Sequence, residues 1–157
     1  MPLAGHLTGL NLLSVSQFRR IVGRMTQTRQ MTLPDGRRLA HRFTPGKEPA
    51  LVFLPGYMSD MAGSKAQAVF DWAAINGQAC LLLDYSGCGE SGGEFKDGTL
   101  SRWREEVLAL VEVHCPGPVV LIGSSMGGWL MLLVGLVLGE RLAGLIGIAA
   151  APDFTAW

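Results

Sequence analysis

Histidine is the telling shortage in this chain of 157 residues: there are three, His6, His41 and His114, and none follows residue 114. Cysteine is scarce too. Cys80, Cys88 and Cys115 are odd in number and lack C-x-x-C spacing, which speaks against a disulfide framework or a zinc site and suits reduced intracellular thiols. The formal net charge is zero, so no electrostatic footprint for nucleic acid or an anionic membrane is present. No acid precedes Asp35, while Arg19, Arg20, Arg24 and Arg29 lie among many Ser and Thr. That composition resembles an organellar transit segment, although a start at Met25 or Met31 explains it as well. No secretory pattern is present, because residues 7–15 have no basic region before them and no small-residue cleavage site after them. Residues 1–30 therefore read as an extension to a domain over 31–157, with a cytoplasmic location expected and an organellar one as the alternative.

Charge is also missing from 119 to 139, a run long enough to cross a bilayer. Glycines and serines cluster in the middle of it, and such a break would leave backbone groups unpaired in lipid. A buried parallel strand followed by a buried helix explains the same hydrophobicity, so no membrane span is expected.

What is present is an alternation of apolar strands and helices in a chain that is 48% hydrophobic and holds 21 glycines. Strands are expected over 37–44, 50–54, 78–84, 119–122 and 142–149. Helices are expected over 64–76, with Val69, Trp72 and Ala73 at helical spacing, over 99–114 and over 126–138. In the second helix Trp103, Val107 and Leu110 face inward, and Arg102, Arg104, Glu105 and Glu106 largely outward. The alternation predicts an α/β fold with a mainly parallel sheet and flanking helices.

Between the strand ending at 122 and the helix starting at 126 stands Gly123-Ser124-Ser125-Met126-Gly127, which fits G-x-S-x-G. That turn is sharp enough to strain the serine backbone, and the small residues let neighbouring backbone pass. Ser125 would stand at a helix N-terminus, where the dipole and backbone N–H groups favour developing negative charge. It is the candidate nucleophile. An acyl-transfer serine also needs an oxyanion hole, a base and an orienting acid. Leu54-Pro55-Gly56-Tyr57 occupies the place of an oxyanion loop, with the Tyr57 N–H as one candidate donor and the Met126 N–H as the other; a plain β-turn would use the same Pro-Gly pair. The loop Gly87-Cys88-Gly89-Glu90-Ser91-Gly92 matches G-x-G-x-x-G literally. No helix opens inside it and no acid closes a following strand, so dinucleotide binding is not expected. Cys88 has no paired histidine or second thiol and reads as a small structural residue. Met58, Met61 and Met126 suit an adaptable apolar pocket or ordinary core packing.

Taken together, Leu54–Tyr57, the segment Asp84-Tyr85-Ser86-Gly87-Cys88-Gly89-Glu90-Ser91 and the turn at Ser125 resemble the α/β-hydrolase superfamily. The resemblance is narrower to a branch with an acyl-protein thioesterase and acyl-glucuronide esterase of mitochondria. It implies hydrolysis of a carboxylic ester or thioester in a small-molecule or acylated substrate, without metal or organic cofactor. It maps the nucleophile to Ser125 and the oxyanion donors to Tyr57 and Met126, and makes Asp84 and the glycine loop scaffold. The family order is serine, acid, histidine. After Ser125 only Glu140 and Asp153 are acidic; Glu140 reads as a solvated partner of Arg141, and Asp153 as a weak candidate acid. His114 should lie roughly 20 Å from Ser125, one strand length away. The expectation is therefore the first part of such a fold, incomplete at its C-terminus, with base and acid beyond it and an open edge on the last strand.

Overall fold

The computed structural model describes residues 27–153 together with Gly23. His6, Arg19, Arg20, Arg24 and Met25 lie outside the described residues. Among the described residues one sheet has strand order β1-β2-β4-β3-β5-β6. Its strands are β1 (Arg29–Thr32), β2 (Arg38–Thr44), β3 (Lys47–Leu54), β4 (Gln78–Leu83), β5 (Val119–Ser124) and β6 (Leu142–Ile148). The first two are antiparallel to their neighbours, and β4, β3, β5 and β6 run parallel. Helices α1 (Ser64–Asn76), α2 (Leu100–His114) and α3 (Met126–Leu138) supply the crossovers. The mainly parallel α/β architecture expected from the alternation is the one observed, and the sheet begins at Arg29.

Two apolar layers sandwich the sheet. On one face, Phe53, Cys80, Leu82 and Ile122 pack against Ala66, Phe70 and Ala73 of α1. On the other, Val52, Leu81, Leu83 and Leu121 pack against Trp103, Val107 and Leu110 of α2 and Leu130 and Val134 of α3. The period-two alternation sends successive residues of β4 into different cores, which is why the strand is apolar throughout.

Local signals set the helix ends. Thr99 caps α2 by accepting the Arg102 N–H at 3.1 Å. Gly77, at φ 65°, closes α1 and donates to Ala73 and Ala74 carbonyls. Trp72 corrects the expected stripe of α1: it is exposed, and the buried residues are Ala66, Phe70 and Ala73. At 100° per residue Trp72 lies about 130° from the centre of that stripe. Met61 belongs to the core and Met58 is exposed, so the methionines do not share one pocket. No helix among the described residues is long and apolar enough to cross a membrane.

Candidate active site

The turn from β5 into α3 holds Ser125 at φ 51°, ψ −120°. A non-glycine residue there stores on the order of 1–3 kcal/mol of strain, which the surroundings must impose. They do so on several sides. The Ser125 N–H donates to the Ile148 carbonyl at 3.0 Å, and its own carbonyl accepts from Gly128 at 2.8 Å and Ala151 at 3.0 Å. The neighbouring glycines have no room for side chains. A Cβ on Gly123 would come within 2.4 Å of the Gly127 carbonyl oxygen, and one on Gly127 within 2.0 Å of the Leu54 oxygen. A Cβ on Gly128 would meet the Ala150 Cβ at 2.4 Å. Each glycine is thus required by a close backbone approach. Ser125 itself is exposed, at the start of a 13-residue helix.

The loop after β3 lies against this serine. A Cβ on Gly56 would stand 3.2 Å from the Ser125 Cβ and 3.8 Å from its Oγ. Tyr57, the next residue, is half exposed and sets its ring edge-on against Phe95 at 5.1 Å. Buried polar groups hold the loop. Tyr85 Oη donates to the Pro55 carbonyl at 3.0 Å. Asp84 accepts the Met61 N–H at 2.7 Å on one oxygen and the Glu90 N–H at 2.8 Å on the other, tying the two loops beside the sheet together. Burial pushes the Asp84 carboxyl up, against the lowering by those two N–H donors. Gly89, at φ 50°, lets the glycine loop close on Asp84: a Cβ there would meet Oδ2 at 2.2 Å. The G-x-G-x-x-G segment wraps the Asp84 carboxylate.

The two described histidines gather elsewhere. His41 in β2 and His114 at the end of α2 pack at a tilt with ring centroids 4.6 Å apart, and the Phe43 ring lies 5.1 Å from that of His114. β4 and β3 separate β2 from β5, so about 14 Å of sheet stands between His41 and the serine strand. Burial lowers both histidine pKa values, and each ring feels Arg29. Glu140 and Asp153 are exposed. Arg141 pairs with Glu112 at 2.9 Å and donates to the Cys115 carbonyl, which corrects the expected Glu140–Arg141 pair. All three cysteines are buried and free. Burial pushes Cys80 and Cys115 up to about 12 and Cys88 to about 11, which leaves them protonated and unreactive. No cluster that could hold a metal ion occurs among the described residues.

Residues 51–157 match the model of the Alpha/beta hydrolase family. The chain belongs to that family. Human mitochondrial palmitoyl-protein thioesterase ABHD10 is 43% identical over 120 residues, covering 76% of this chain and 39% of that protein. The structure of mouse alpha/beta hydrolase domain-containing protein 10 superposes with a TM-score of 0.76 at 39% identity, over 80% of this chain and 50% of that one. The crystal structure of a protein from Agrobacterium vitis S4 gives the same TM-score and identity, over 83% of this chain and 54% of the other. This alpha/beta hydrolase sequence spans less than half the length of the human relative.

One important residue of this alpha/beta hydrolase was misjudged from sequence. Glu106, expected to face outward, is fully buried. Its carboxylate accepts from Arg37 at 2.8 Å and from the Ser86 N–H at 2.8 Å. The carboxylates of Glu106 and Asp35 raise the Arg37 pKa against the lowering by burial. Spacing held the signal: Glu106 stands three residues after Trp103 and four before Leu110, inside the apolar stripe of α2.

Proposed function

We propose that Ser125 is the nucleophile of an ester or thioester hydrolase that works through an acyl-enzyme. The observation that carries this reading is the positive-φ serine turn, walled by Gly123, Gly127 and Gly128 and flanked by Gly56. Ser125 Oγ attacks the substrate carbonyl carbon, and the carbonyl oxygen takes up the charge. The backbone N–H groups of Met126 and Tyr57 donate to that oxygen, and the start of α3 favours the charge there. Collapse expels the alcohol or thiol, and water then releases the acyl group from Ser125. The base that takes the Ser125 proton and its orienting acid come from residues outside this sequence. Support for that comes from His41 and His114 packing on each other on the far side of β4 and β3.

The relatives named palmitoyl-protein thioesterase favour a thioester in an acylated protein or small molecule, and their mitochondrial names favour the organellar alternative for location. The same remoteness of His41 and His114 favours a second reading, a non-catalytic acyl-ligand-binding chain. The discriminating experiment is thioester hydrolysis by protein expressed from the gene read past the Trp157 codon. Turnover that falls by about a million-fold in Ser125→Ala supports the hydrolase. Equal turnover in Ser125→Ala overturns it, and saturable binding without turnover establishes the second reading.

A further inference from the structure

Two successive peptide planes lead from Pro55 to Tyr57, and a hydrogen bond pins each of them. The Pro55–Gly56 plane is held through its carbonyl, which accepts from Tyr85 Oη at 3.0 Å. The Gly56–Tyr57 plane is held through its own carbonyl, which accepts the Ser59 N–H at 3.1 Å. In a planar trans peptide the N–H points opposite the carbonyl, so the second bond also sets the direction of the Tyr57 N–H. Gly56 joins the two planes, and a residue without a Cβ restricts their relative rotation least. The turn therefore depends on both carbonyls being held.

The Pro55 carbonyl is also where this loop meets the serine turn. A Cβ on Gly127 would stand 2.6 Å from that oxygen, and one on Gly56 3.2 Å from the Ser125 Cβ. Pro55 is buried, so loss of the phenol would leave a shielded carbonyl without its donor. Tyr85 is itself held firmly. It is fully buried, with its ring stacked on Trp103 at a centroid distance of 5.3 Å. The next residue, Ser86, donates its N–H to Glu106 at 2.8 Å and accepts from Trp103 Nε1 at 3.1 Å. Burial pushes the Tyr85 phenol well above its usual pKa, which keeps Oη a donor. Packing alone needs only the ring; the hydroxyl reaches a loop 30 residues away.

We propose that Tyr85 is a positioning residue for the oxyanion hole: its hydroxyl holds the Pro55 carbonyl and, through Gly56, keeps the Tyr57 N–H aimed for catalysis. This rests on the serine-hydrolase reading, which makes that N–H an oxyanion donor. Tyr85 acts through the loop and takes no part in the bond changes. Its effect falls on the transition state, because the charged tetrahedral oxygen needs the aimed donor far more than the bound ester carbonyl does. The signature is a fall in kcat with KM unchanged.

The test is turnover of S-decanoyl-N-acetylcysteamine by protein expressed from the gene read past the Trp157 codon, with kcat counted per fluorophosphonate-titrated serine. Tyr85→Phe, which keeps the ring, is expected to lower kcat about tenfold to a hundredfold and to leave KM within about twofold. Binding of a decyl trifluoromethyl ketone, whose adduct places an oxyanion in the hole, is expected to weaken by the same factor. A decyl thioether without the carbonyl is expected to bind as to wild type. Trp103→Phe frees the Ser86 carbonyl but leaves the Tyr85 hydroxyl; it is expected to give the same split at smaller size, and it replaces Tyr85→Phe if that variant does not fold. Ser125-dependent turnover that is unchanged in Tyr85→Phe overturns the proposal, as does equal weakening of the ketone and the thioether. Wild-type protein without Ser125-dependent turnover overturns the hydrolase reading, and this proposal with it.

Discussion

β4 and β6 are both apolar, one reading QACLLL and the other LAGLIGI, yet five of the six β4 residues are buried and none of the seven in β6 is. Composition does not separate them; cover does. β4 has α1 on one face and α2 on the other, with β2 and β3 at its edges. β6 has β5 on one edge and α3 on one face. In register with Ile122, Ile146 points to the α1 face but lies beyond that helix and is half exposed. Leu132, Leu136 and Val137 on α3 are exposed as well. Hydrophobic residues thus mark where a covering layer fits, and the layer itself decides whether their burial contributes to stability. The serine turn sits at the junction, with the covered half behind it and the open half against it.

Breaking the covered half should cost most at its buried charges. Glu106→Ala removes the carboxylate that satisfies Arg37 and the Ser86 N–H, and should lower stability by about 3–5 kcal/mol in urea denaturation. The comparison is sharpened by matched truncations. Leu82→Ala in β4 should cost about 2–5 kcal/mol, whereas Leu145→Ala in β6, 42% exposed, should cost less than about 1 kcal/mol. Equal losses at the two sites would mean that β6 is as well covered as β4.

A smaller effect comes from pH. Burial holds His41 and His114 below the ordinary histidine value of 6.5, with Arg29 adding to the shift in both. The unfolded chain therefore binds more protons than the folded one below that value, and stability is lost as pH falls through about 6.5. Thermal melts across this range should show the decline, and His114→Phe should flatten it.

Much of the fold was legible because its signals are local. The glycines around Ser125 are dictated by backbone contacts that recur wherever such a turn is made, and the apolar runs of β4 and β5 announce a sheet covered on both faces. β1 was missed because RQMT has no apolar alternation and is held by pairing with β2. The scaffold was legible only in part. Asp84 meets Met61 across 23 residues, and Glu106 meets Ser86 across 20. No periodicity encodes such contacts, so a charged residue inside an apolar stripe looked solvated until its partners were in place. Trp72 shows the converse, a large apolar side chain that its helical phase leaves in water.

The most direct test of the proposed nucleophile is fluorophosphonate labelling mapped to a residue by mass spectrometry. The account predicts a single adduct on Ser125 in protein read past the Trp157 codon, none in its Ser125→Ala variant, and none on the 157-residue chain alone. An adduct on another residue, or rapid labelling of Ser125 in the 157-residue chain, would contradict it.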